Sequence, residues 1–467
     1  MRPHSDSHIR ARSGRAAALV ALGAALGAAL LGACQDSTVP NYNDPSLPDV
    51  PQSSTDLVNQ TRGILAGDRE QHAFQILVLE TMGRDAYRID VADSRYIQMP
   101  LGNFSPSAFL VDFTWNSLYR TIRAARILTE GIDKSKFSEQ DKAATRGFAR
   151  TFQAFEYLRL LESRDTLGVP IVVSTGKLDP VRCKPAALAY VSALLDSAAA
   201  DLAQGGAAFP FTLTTGFTGF GTFDTPATFL QFNRGLAAKA LTYRGFIDYA
   251  RNGSKDAVRL DSALKALDAS FEPGAGSLRD GVYHVFSTAS GDLQNANFDN
   301  SVYRANPKVL SQAEPGDARL SKVRKDPSAN IFLGEAGAPL VASDILFLNV
   351  SSPTSPLPIL TREELRLVRA EVLWGLGREG EALAVANDIR RTYGLGSASA
   401  SGVGLLREIL KQKRYSLLWE SGARLVDYRM FGLFDELGQE LVGQPGPKVI
   451  PFPQAEIDAR GGDLTCS

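Results

Sequence analysis

The chain has 467 residues, with 50 basic and 51 acidic side chains, and 44% of its residues are apolar. These ordinary globular values exclude wholesale disorder, a collagen and a disulfide-stapled miniprotein. The formal net charge of −1 indicates no general attraction to nucleic acid, so no nucleic-acid partner is expected.

Residues 1–33 have the organisation of an export signal peptide. Four arginines come first, and the uncharged, Ala/Leu-rich run 16–31 follows them. This run is shorter than the roughly 20 residues that a membrane-spanning helix needs. It ends in Leu31-Gly32-Ala33-Cys34, and small residues before a cysteine resemble the lipobox of bacterial lipoproteins. The pattern predicts cleavage before Cys34 and acylation of its thiol; the alternative is a short membrane anchor.

The next segment, 34–54, is predicted to be a lipidated tether. It carries Pro45, Pro48 and Pro51 among Asn, Asp and Ser residues, a composition typical of an extended linker. Such a tether would separate the acyl chains from the folded part of the protein.

Two further cysteines, Cys183 and Cys466, lie in the rest of the chain. Exported proteins meet oxidising conditions, so a disulfide between them is one prediction. Two unpaired thiols are the alternative. A bridge would fasten the C-terminal tail to the helical body.

Residues 55–467 are predicted to form a single, mainly α-helical domain. Apolar residues recur at helical spacing in nine stretches, which are 56–82, 113–130, 143–163, 185–202, 226–250, 262–267, 361–376, 379–393 and 405–419. Thr361 and Glu364 form a capping box at one helix start. The pair joined by Gly377 and Arg378 looks like one tetratricopeptide-type hairpin. An irregular insertion, about 272–358, has only short strand-like runs and is a candidate functional region.

Catalytic and cofactor motifs are scarce. His72 and His284 are the only histidines beyond the leader, and a zinc centre of three histidines is therefore excluded. The two lie far apart in sequence and in unlike contexts. Neither a Walker A sequence nor G-x-S-x-G occurs. The run Gly375–Gly380 spells G-x-G-x-x-G, but it follows a predicted helix, whereas a dinucleotide fingerprint follows a strand. The sequence therefore predicts no enzyme activity, no cofactor and no metal site.

Five stretches in a fixed order resemble the SusD/RagB family of outer-membrane nutrient-uptake lipoproteins. They are Trp115–Ile122, 144–157 with Gly168-Val169-Pro170, 371–395, 414–429 and 450–457. The chain departs from the family pattern at three places. Lys413 stands where an acidic residue is expected, Ser421 is an insertion, and Arg126 replaces an asparagine.

The resemblance implies an all-α scaffold of tetratricopeptide-like hairpins, an α-α superhelix, with a loop-rich ligand face and small β elements. Members of this family lie on the outer leaflet of the outer membrane and cap a TonB-dependent, SusC-like transporter. They bind nutrients and are not enzymes. The function implied for this chain is capture of an oligosaccharide, or of a peptide, and its delivery to that transporter.

The resemblance also places candidate ligand-binding residues in the segment before the Trp115 helix. Tyr87 and Tyr96 could stack on a sugar ring, and the charged residues around them could hydrogen-bond its hydroxyls. The charged candidates are Arg84, Asp85, Asp93 and Arg95. A well-packed loop with internal Arg–Asp pairs is the alternative. Tyr283 and Tyr303, in the irregular insertion, form a second candidate group.

Other conspicuous residues are interpreted as structural. Trp115, Trp374 and Trp419 lie beside apolar helical positions, which favours core packing over a sugar platform. The charged residues Arg414, Glu420, Arg424, Asp427 and Arg429 are more typical of an ion-pair network than of an anion site.

Two rival functions remain open at this point. One is an exported helical-repeat adaptor that binds only protein partners. The other is a surface hydrolase. Ligand screens and turnover assays on polysaccharides distinguish them from nutrient capture.

Overall fold

The computed structural model describes residues 50–171, 178–299, 301–335, 338–438, 440 and 448–467. The predicted signal peptide, Cys34 and most of the predicted tether lie outside the described residues.

Long helices dominate the described chain. They are α1 Ser54–Met82, α2 Asn116–Asp133, α3 Glu139–Arg164, α4 Lys184–Gln204, α5 Pro226–Gly245, α6 Ala257–Asp268, α7 Arg362–Gly375, α8 Glu379–Thr392, α9 Gly402–Ser416 and α10 Ala423–Met430. Short helices cover Gln98–Leu101, Phe109–Phe113, Thr215–Thr218, Tyr249–Asn252, Pro307–Ser311, Phe434–Gly438 and Gln454–Ala459. All nine predicted helices are present. The prediction missed α10. It also extended one helix over 226–250, whereas α5 ends at Gly245.

The long helices pack in chain order, each from α1 to α9 against the next one. This succession confirms the predicted stack of tetratricopeptide-like hairpins. Helices α3 and α4 can approach closely because residue 147 is a glycine. A Cβ at this position would lie only 2.5 Å from Leu202 Cγ. Between α7 and α8 the chain turns at Gly377, which has a φ of 74°. The G-x-G-x-x-G run is therefore a helix–turn–helix connection, as its context predicted.

The start of α7 shows half of the predicted capping box. Thr361 Oγ1 accepts a hydrogen bond from the Glu364 backbone N–H at 3.2 Å. The Glu364 carboxylate, however, lies 2.7 Å from Lys239 Nζ on α5. This side chain therefore joins two helices.

Five short antiparallel strand pairs occur among the described residues, and four of them lie in the irregular region or connect it to the rest of the chain. The strands are β1 Ala86–Arg88, β2 Val169–Pro170, β3 Val181–Arg182, β4 Gly281–His284, β5 Tyr303–Ala305, β6 Val323–Lys325, β7 Ile331–Glu335, β8 Ala338–Ser343, β9 Ile345–Phe347 and β10 Leu357–Thr361. The pairs are β1–β5, β2–β3, β4–β10, β6–β9 and β7–β8. Because β1 follows α1 and β10 leads into α7, the β1–β5 and β4–β10 pairs hold the insertion against the helical stack.

The apolar core has two large parts. The helical part contains Trp115 and Trp374, together with most of the phenylalanines of the segment 205–225. The other part lies between the second half of α1 and the irregular region, around Trp419. The Trp419 ring stacks on Phe347 with centroids 4.5 Å apart and an interplanar angle of 7°. All three tryptophans are buried, so the prediction that they pack in the core is confirmed.

Helix α4 is long and apolar enough, by length and composition, to cross a membrane. It packs, however, between α3 and α5, with Leu188, Val191 and Leu195 fully buried there. A core helix of a folded domain passes the same test, so this finding does not indicate a membrane span.

A disulfide joins Cys183 and Cys466, whose Cα atoms are 4.8 Å apart. The chain end continues the contact, because the Ser467 N–H donates to Val181 O at 2.9 Å and the Cys183 N–H donates to Ser467 O at 3.2 Å. The predicted pairing is confirmed, and it fastens the C-terminal tail beside β3.

Candidate functional site

The first half of the predicted ligand segment is pulled into the protein. Helix α1 ends at Met82, and Arg84 takes a left-handed conformation with a φ of 62° that redirects the chain into β1. Strand β1 then pairs with β5, with Tyr87 opposite Arg304 and Arg88 opposite Tyr303. This pairing places the start of the segment against the irregular region.

Three predicted ligand residues are consequently buried: Arg84, Asp85 and Tyr87 are 0%, 2% and 3% exposed. Arg84 donates to the Pro100 carbonyl at 2.7 Å. The Tyr87 hydroxyl accepts from Asn306 Nδ2 at 3.1 Å, and burial raises its pKa to about 12. The stacking role predicted for Tyr87 does not fit a ring enclosed by protein.

Asp85 is the anchor of a buried ion-pair network. Its Oδ1 accepts from Arg414 Nε at 2.6 Å and from Arg424 Nη1 at 3.0 Å. Glu420 pairs with Arg279 at 2.8 Å, and Asp427 pairs with Lys413 at 2.9 Å. The charged cluster of the C-terminal helices is thus structural, as predicted, although most of its partners lie elsewhere in the chain.

The second half of the segment reaches the surface. Asp93 accepts two hydrogen bonds from Arg95, from Nε at 2.8 Å and from Nη2 at 2.6 Å. The Arg95 hydrogen bond lowers the pKa of Asp93 to about 2, so the carboxylate is ionised at neutral pH. The Arg95 side chain is 63% exposed and that of Asp93 is 23% exposed. This fixed fork presents both donors and acceptors to solvent.

Four aromatic rings form a continuous row beside this fork, and we call the row the aromatic ridge: Tyr96, Phe109, Phe113 and Phe74. Consecutive ring centroids are 5.5 Å apart, with interplanar angles of 78–79°. The Arg95 guanidinium lies 4.4 Å from the centre of the Phe109 ring. Phe113 is 43% exposed, which makes it the most accessible ring of the ridge.

Tyr96 belongs to the ridge, but its ring is covered. The Arg88 guanidinium lies 3.7 Å from the ring centre, and Asp90 holds Arg88 at 2.8 Å. Only 8% of Tyr96 is exposed. The Tyr96 ring therefore packs against Phe109 as a buried member of the ridge. The predicted stacking of a sugar on Tyr96 does not fit this environment.

Phe109 and Phe113 were not among the predicted ligand residues. They are four residues apart on one short helix, whereas the intervening Leu110 and Val111 are fully buried. An aromatic pair at i and i+4, out of phase with the core-facing residues, was the signal that could have identified them.

The second predicted group is packed. Tyr303 is 3% exposed and lies against Trp419, with ring centroids 5.3 Å apart. Tyr283 is also 3% exposed and stacks on Phe220 at 4.1 Å, while its hydroxyl donates to Arg279 O at 2.7 Å. Burial raises the pKa of both hydroxyls to about 12. The tyrosines thus hold the irregular region together and present no free ring face.

The two histidines meet in space, which their sequence contexts did not indicate. His72 on α1 and His284 on β4 have ring centroids 5.0 Å apart, and both are buried. Their distance along the sequence gave no sign of this contact, which arises because β4 lies against α1.

A separate cavity of about 320 Å³ lies at the C-terminal helices. Arg407, Lys411, Arg414 and Arg424 line it together with Glu436 and Glu440. Arg407 pairs with Glu436 at 2.6 Å, and Arg424 pairs with Glu440 at 2.6 Å. Lys411 and Arg414 pair with acids outside the lining, Glu314 and Asp85. Because each of the four cations already has a carboxylate partner, this cavity is a weaker ligand site than the ridge.

Comparison with known proteins supplies the family context. No protein-family model and no curated protein matches the sequence. Solved structures do match the fold. A SusD superfamily protein from Bacteroides vulgatus has a TM-score of 0.65 and 15% identity over 88% of this chain and 98% of its own. A laminarin-binding SusD-like protein has a TM-score of 0.65 and 16% identity, with the same coverage. A structure with xylogluco-oligosaccharide has a TM-score of 0.62 and 15% identity, over 83% and 85%.

These identities are too low to transfer a ligand, but the agreement covers almost the whole described chain. The order of helices, the irregular insertion and the predicted motifs therefore have one common explanation: the chain has the fold of the SusD-like proteins.

Proposed function

We propose that this chain is a cell-surface lipoprotein that captures an oligosaccharide and delivers it to a SusC-like, TonB-dependent outer-membrane transporter. The carrying observation is the exposed Phe113, which packs on Phe109, the ring that the Arg95–Asp93 fork contacts. Two solved structures with this fold are described together with a carbohydrate: one protein binds laminarin, and the other structure is with a xylogluco-oligosaccharide. One of them is described as a laminarin-binding protein, which supports a binding role.

The chemistry of the ridge suits a sugar. A pyranose ring has an apolar C–H face that packs on an aromatic ring, and its edge carries hydroxyls that need both donors and acceptors. Phe109 and Phe113 supply the apolar surface. Arg95 donates and Asp93 accepts, and their mutual salt bridge fixes the geometry before a ligand arrives. Of the predicted ligand residues, these two are the ones that we propose contact the sugar directly.

Phe113→Ala should weaken glycan binding by roughly 5- to 30-fold, since truncation of an aromatic contact residue typically costs about 1–2 kcal/mol. The measurement is calorimetric titration of the protein with laminarin-type and xyloglucan-type oligosaccharides. Arg95→Ala should weaken the same ligand through loss of hydrogen bonds. Neither side chain is part of the core, so the midpoint of thermal unfolding should stay within a few degrees.

Two variants serve as controls for this experiment. Val258→Ala removes an exposed apolar side chain, 69% exposed, from helix α6. Tyr87→Phe removes the hydroxyl of a buried candidate. Both should bind like the unmodified chain. Unchanged affinity in Phe113→Ala and Arg95→Ala would remove the ridge as the site. If this chain retains a protein partner but binds neither a glycan nor a peptide, the adaptor function would be favoured.

The membrane part of the proposal rests on Cys34. The unmodified precursor should incorporate labelled fatty acid and fractionate with the outer membrane, because two or three acyl chains anchor a protein firmly. Cys34→Ser should lose the label and become soluble in the envelope. Membrane retention of Cys34→Ser without label would indicate an uncleaved N-terminal anchor in place of lipidation.

A further inference from the structure

The buried histidine pair belongs to a compact group of metal-ligating side chains. Asp68 and His72 are four residues apart on α1 and therefore share one helix face. His284 reaches the same point from β4. One potential ligand atom from each residue lies within 4.8 Å of the other two. Exposures of 0%, 6% and 4% show that all three side chains are enclosed.

His72 is oriented as a metal-ligating histidine usually is. Its Nε2 lies 3.0 Å from the carbonyl oxygen of Pro358 on β10. A carbonyl can only accept, so the proton is on Nε2 and the lone pair of the neutral ring is on Nδ1. Within the described residues, Nδ1 has no hydrogen-bond partner. Such a hydrogen bond from the far ring nitrogen is the usual outer-shell support of an imidazole ligand.

The two oxygens of the Asp68 carboxylate face different partners. Arg159 Nη1 binds Asp68 Oδ1 at 2.5 Å, which leaves Oδ2 directed at His284 Nε2, 2.8 Å away. The contact does not have hydrogen-bond geometry, so both atoms are without a hydrogen-bond partner among the described residues. A metal ion between them would bind a lone pair of each atom, and any proton on Nε2 would be released to solvent.

A second buried acid lies beside the group. Arg159 Nη1, which binds Asp68, also lies 3.3 Å from Glu156 Oε2. The other Glu156 oxygen, Oε1, is buried and has no hydrogen-bond partner among the described residues. Burial raises the pKa of Glu156 well above its usual range, so its carboxyl is neutral and Arg159 balances the charge of Asp68.

The ligand atoms must move to bind one ion, and the site has an entrance. Two ligands of a tetrahedral zinc ion lie about 3.4 Å apart, since each is ~2.1 Å from the metal. The widest pair, up to 4.8 Å apart, must therefore close through rotation of the histidine rings, and Asp68 Oδ2 and His284 Nε2, now 2.8 Å apart, must separate slightly. His284 also lines a cavity of about 250 Å³ whose wall includes the exposed Arg62 and the Arg69–Asp292 ion pair. This cavity gives the ion a path from solvent.

We propose that Asp68, His72 and His284 form a binding site for a divalent transition-metal ion, best matched by Zn²⁺. Two imidazoles and one carboxylate suit Zn²⁺, with the fourth coordination position left for water. The ion would join α1 to the β4–β10 pair, the place where the helical stack meets the irregular region. Its binding would therefore stabilise the folded chain, by an amount that rises with the logarithm of the free metal concentration above Kd.

The test uses the full chain without a histidine tag and with His4→Gln and His8→Gln, so that only two histidines remain. After chelator treatment, titration with Zn²⁺ should give one bound ion per chain and a rise in unfolding temperature. X-ray absorption at the zinc edge should show two imidazole ligands, which in this chain can only be His72 and His284.

His72→Gln and His284→Gln should each lower Zn²⁺ affinity by more than about 100-fold, since loss of a ligand exceeds the effect of losing an outer-shell partner. Asp292→Asn, at the cavity mouth, is the matched control and should bind Zn²⁺ normally. No stoichiometric Zn²⁺, or bound Zn²⁺ without imidazole ligands, would overturn the proposal. The absorption measurement decides it even if the glutamine variants fail to fold.

Discussion

Replacing Lys413 by Met should destabilise the folded chain by about 3–5 kcal/mol, because it leaves two buried carboxylates without their cation. Lys413 Nζ lies 2.8 Å from Glu371 Oε1 and 2.9 Å from Asp427 Oδ1. The three side chains are 4%, 0% and 3% exposed. The measurement is the free energy of unfolding in denaturant at neutral pH, with the unmodified chain as reference.

The free energy of unfolding that Lys413→Met removes should be larger at higher pH. Burial raises the pKa of Glu371 to about 7, and burial also raises that of Asp427, even with Lys413 present. An acid with a raised folded-state pKa is most stabilising while protonated, and that stability is lost as the pH rises through the folded-state value. Without Lys413 both pKa values should rise further. Lys413→Met should therefore cost more at pH 8 than at pH 5.

Lys411→Met provides a matched control on the same helix. Lys411 pairs with Glu314 at 2.9 Å, but its side chain is 35% exposed, so its removal should cost no more than about 1 kcal/mol. A second control replaces all three buried groups, as Lys413→Met, Glu371→Gln and Asp427→Asn. It should recover much of the lost stability. Equal costs for the two single lysine variants would contradict the buried network.

This network also explains a departure from the family pattern. Lys413 stands where the resemblance to the SusD/RagB family predicts an acidic residue. In this chain a third carboxylate at that position would lie beside the buried Glu371 and Asp427. The lysine instead supplies their counter-charge, so the substitution changes the buried electrostatics and leaves the helical stack intact.

Helices were predictable because their signal is local. For α7 and α8, apolar residues at i, i+3 and i+4 and the glycine between them determine both ends of the hairpin. Trp115 and Trp374 could likewise be assigned to the core from neighbouring residues on the same helix. The missed helix α10 is only eight residues long and follows directly after the Ser421 insertion, so its periodicity covers little more than two turns.

The exposure of the candidate ligand residues could not be predicted in this way. Tyr87 is buried because β1 pairs with β5, more than 200 residues later in the chain. Tyr96 is covered by Arg88, whose position depends on the same pairing. A tyrosine in a loop has the same local signature whether its ring faces solvent or a strand from another region. The encounter of His72 with His284 is non-local for the same reason.

Opening the Cys183–Cys466 bridge is the second change with a large expected effect. Cys466→Ser should lower the free energy of unfolding by about 2–4 kcal/mol, because the unfolded chain regains freedom that the bridge removes. The bonded cysteines are 283 residues apart, so the closed loop includes most of the helical stack. Denaturant unfolding of the oxidised unmodified chain and of the variant measures the difference.

The design of the variants separates the bridge from local packing. Cys183→Ser and the double variant should match Cys466→Ser, since each removes the same bond. A reducing agent should shift the unmodified chain toward the variants and leave the variants unchanged. The tail should stay docked in all of them at low denaturant, because Ser467 bonds the backbone at Val181 and Phe452 packs on Trp115 with ring centroids 5.1 Å apart. If reductant leaves the unmodified chain unaffected, or the double variant loses twice as much as either single one, the stability comes from the thiols' surroundings and not from the bond between them.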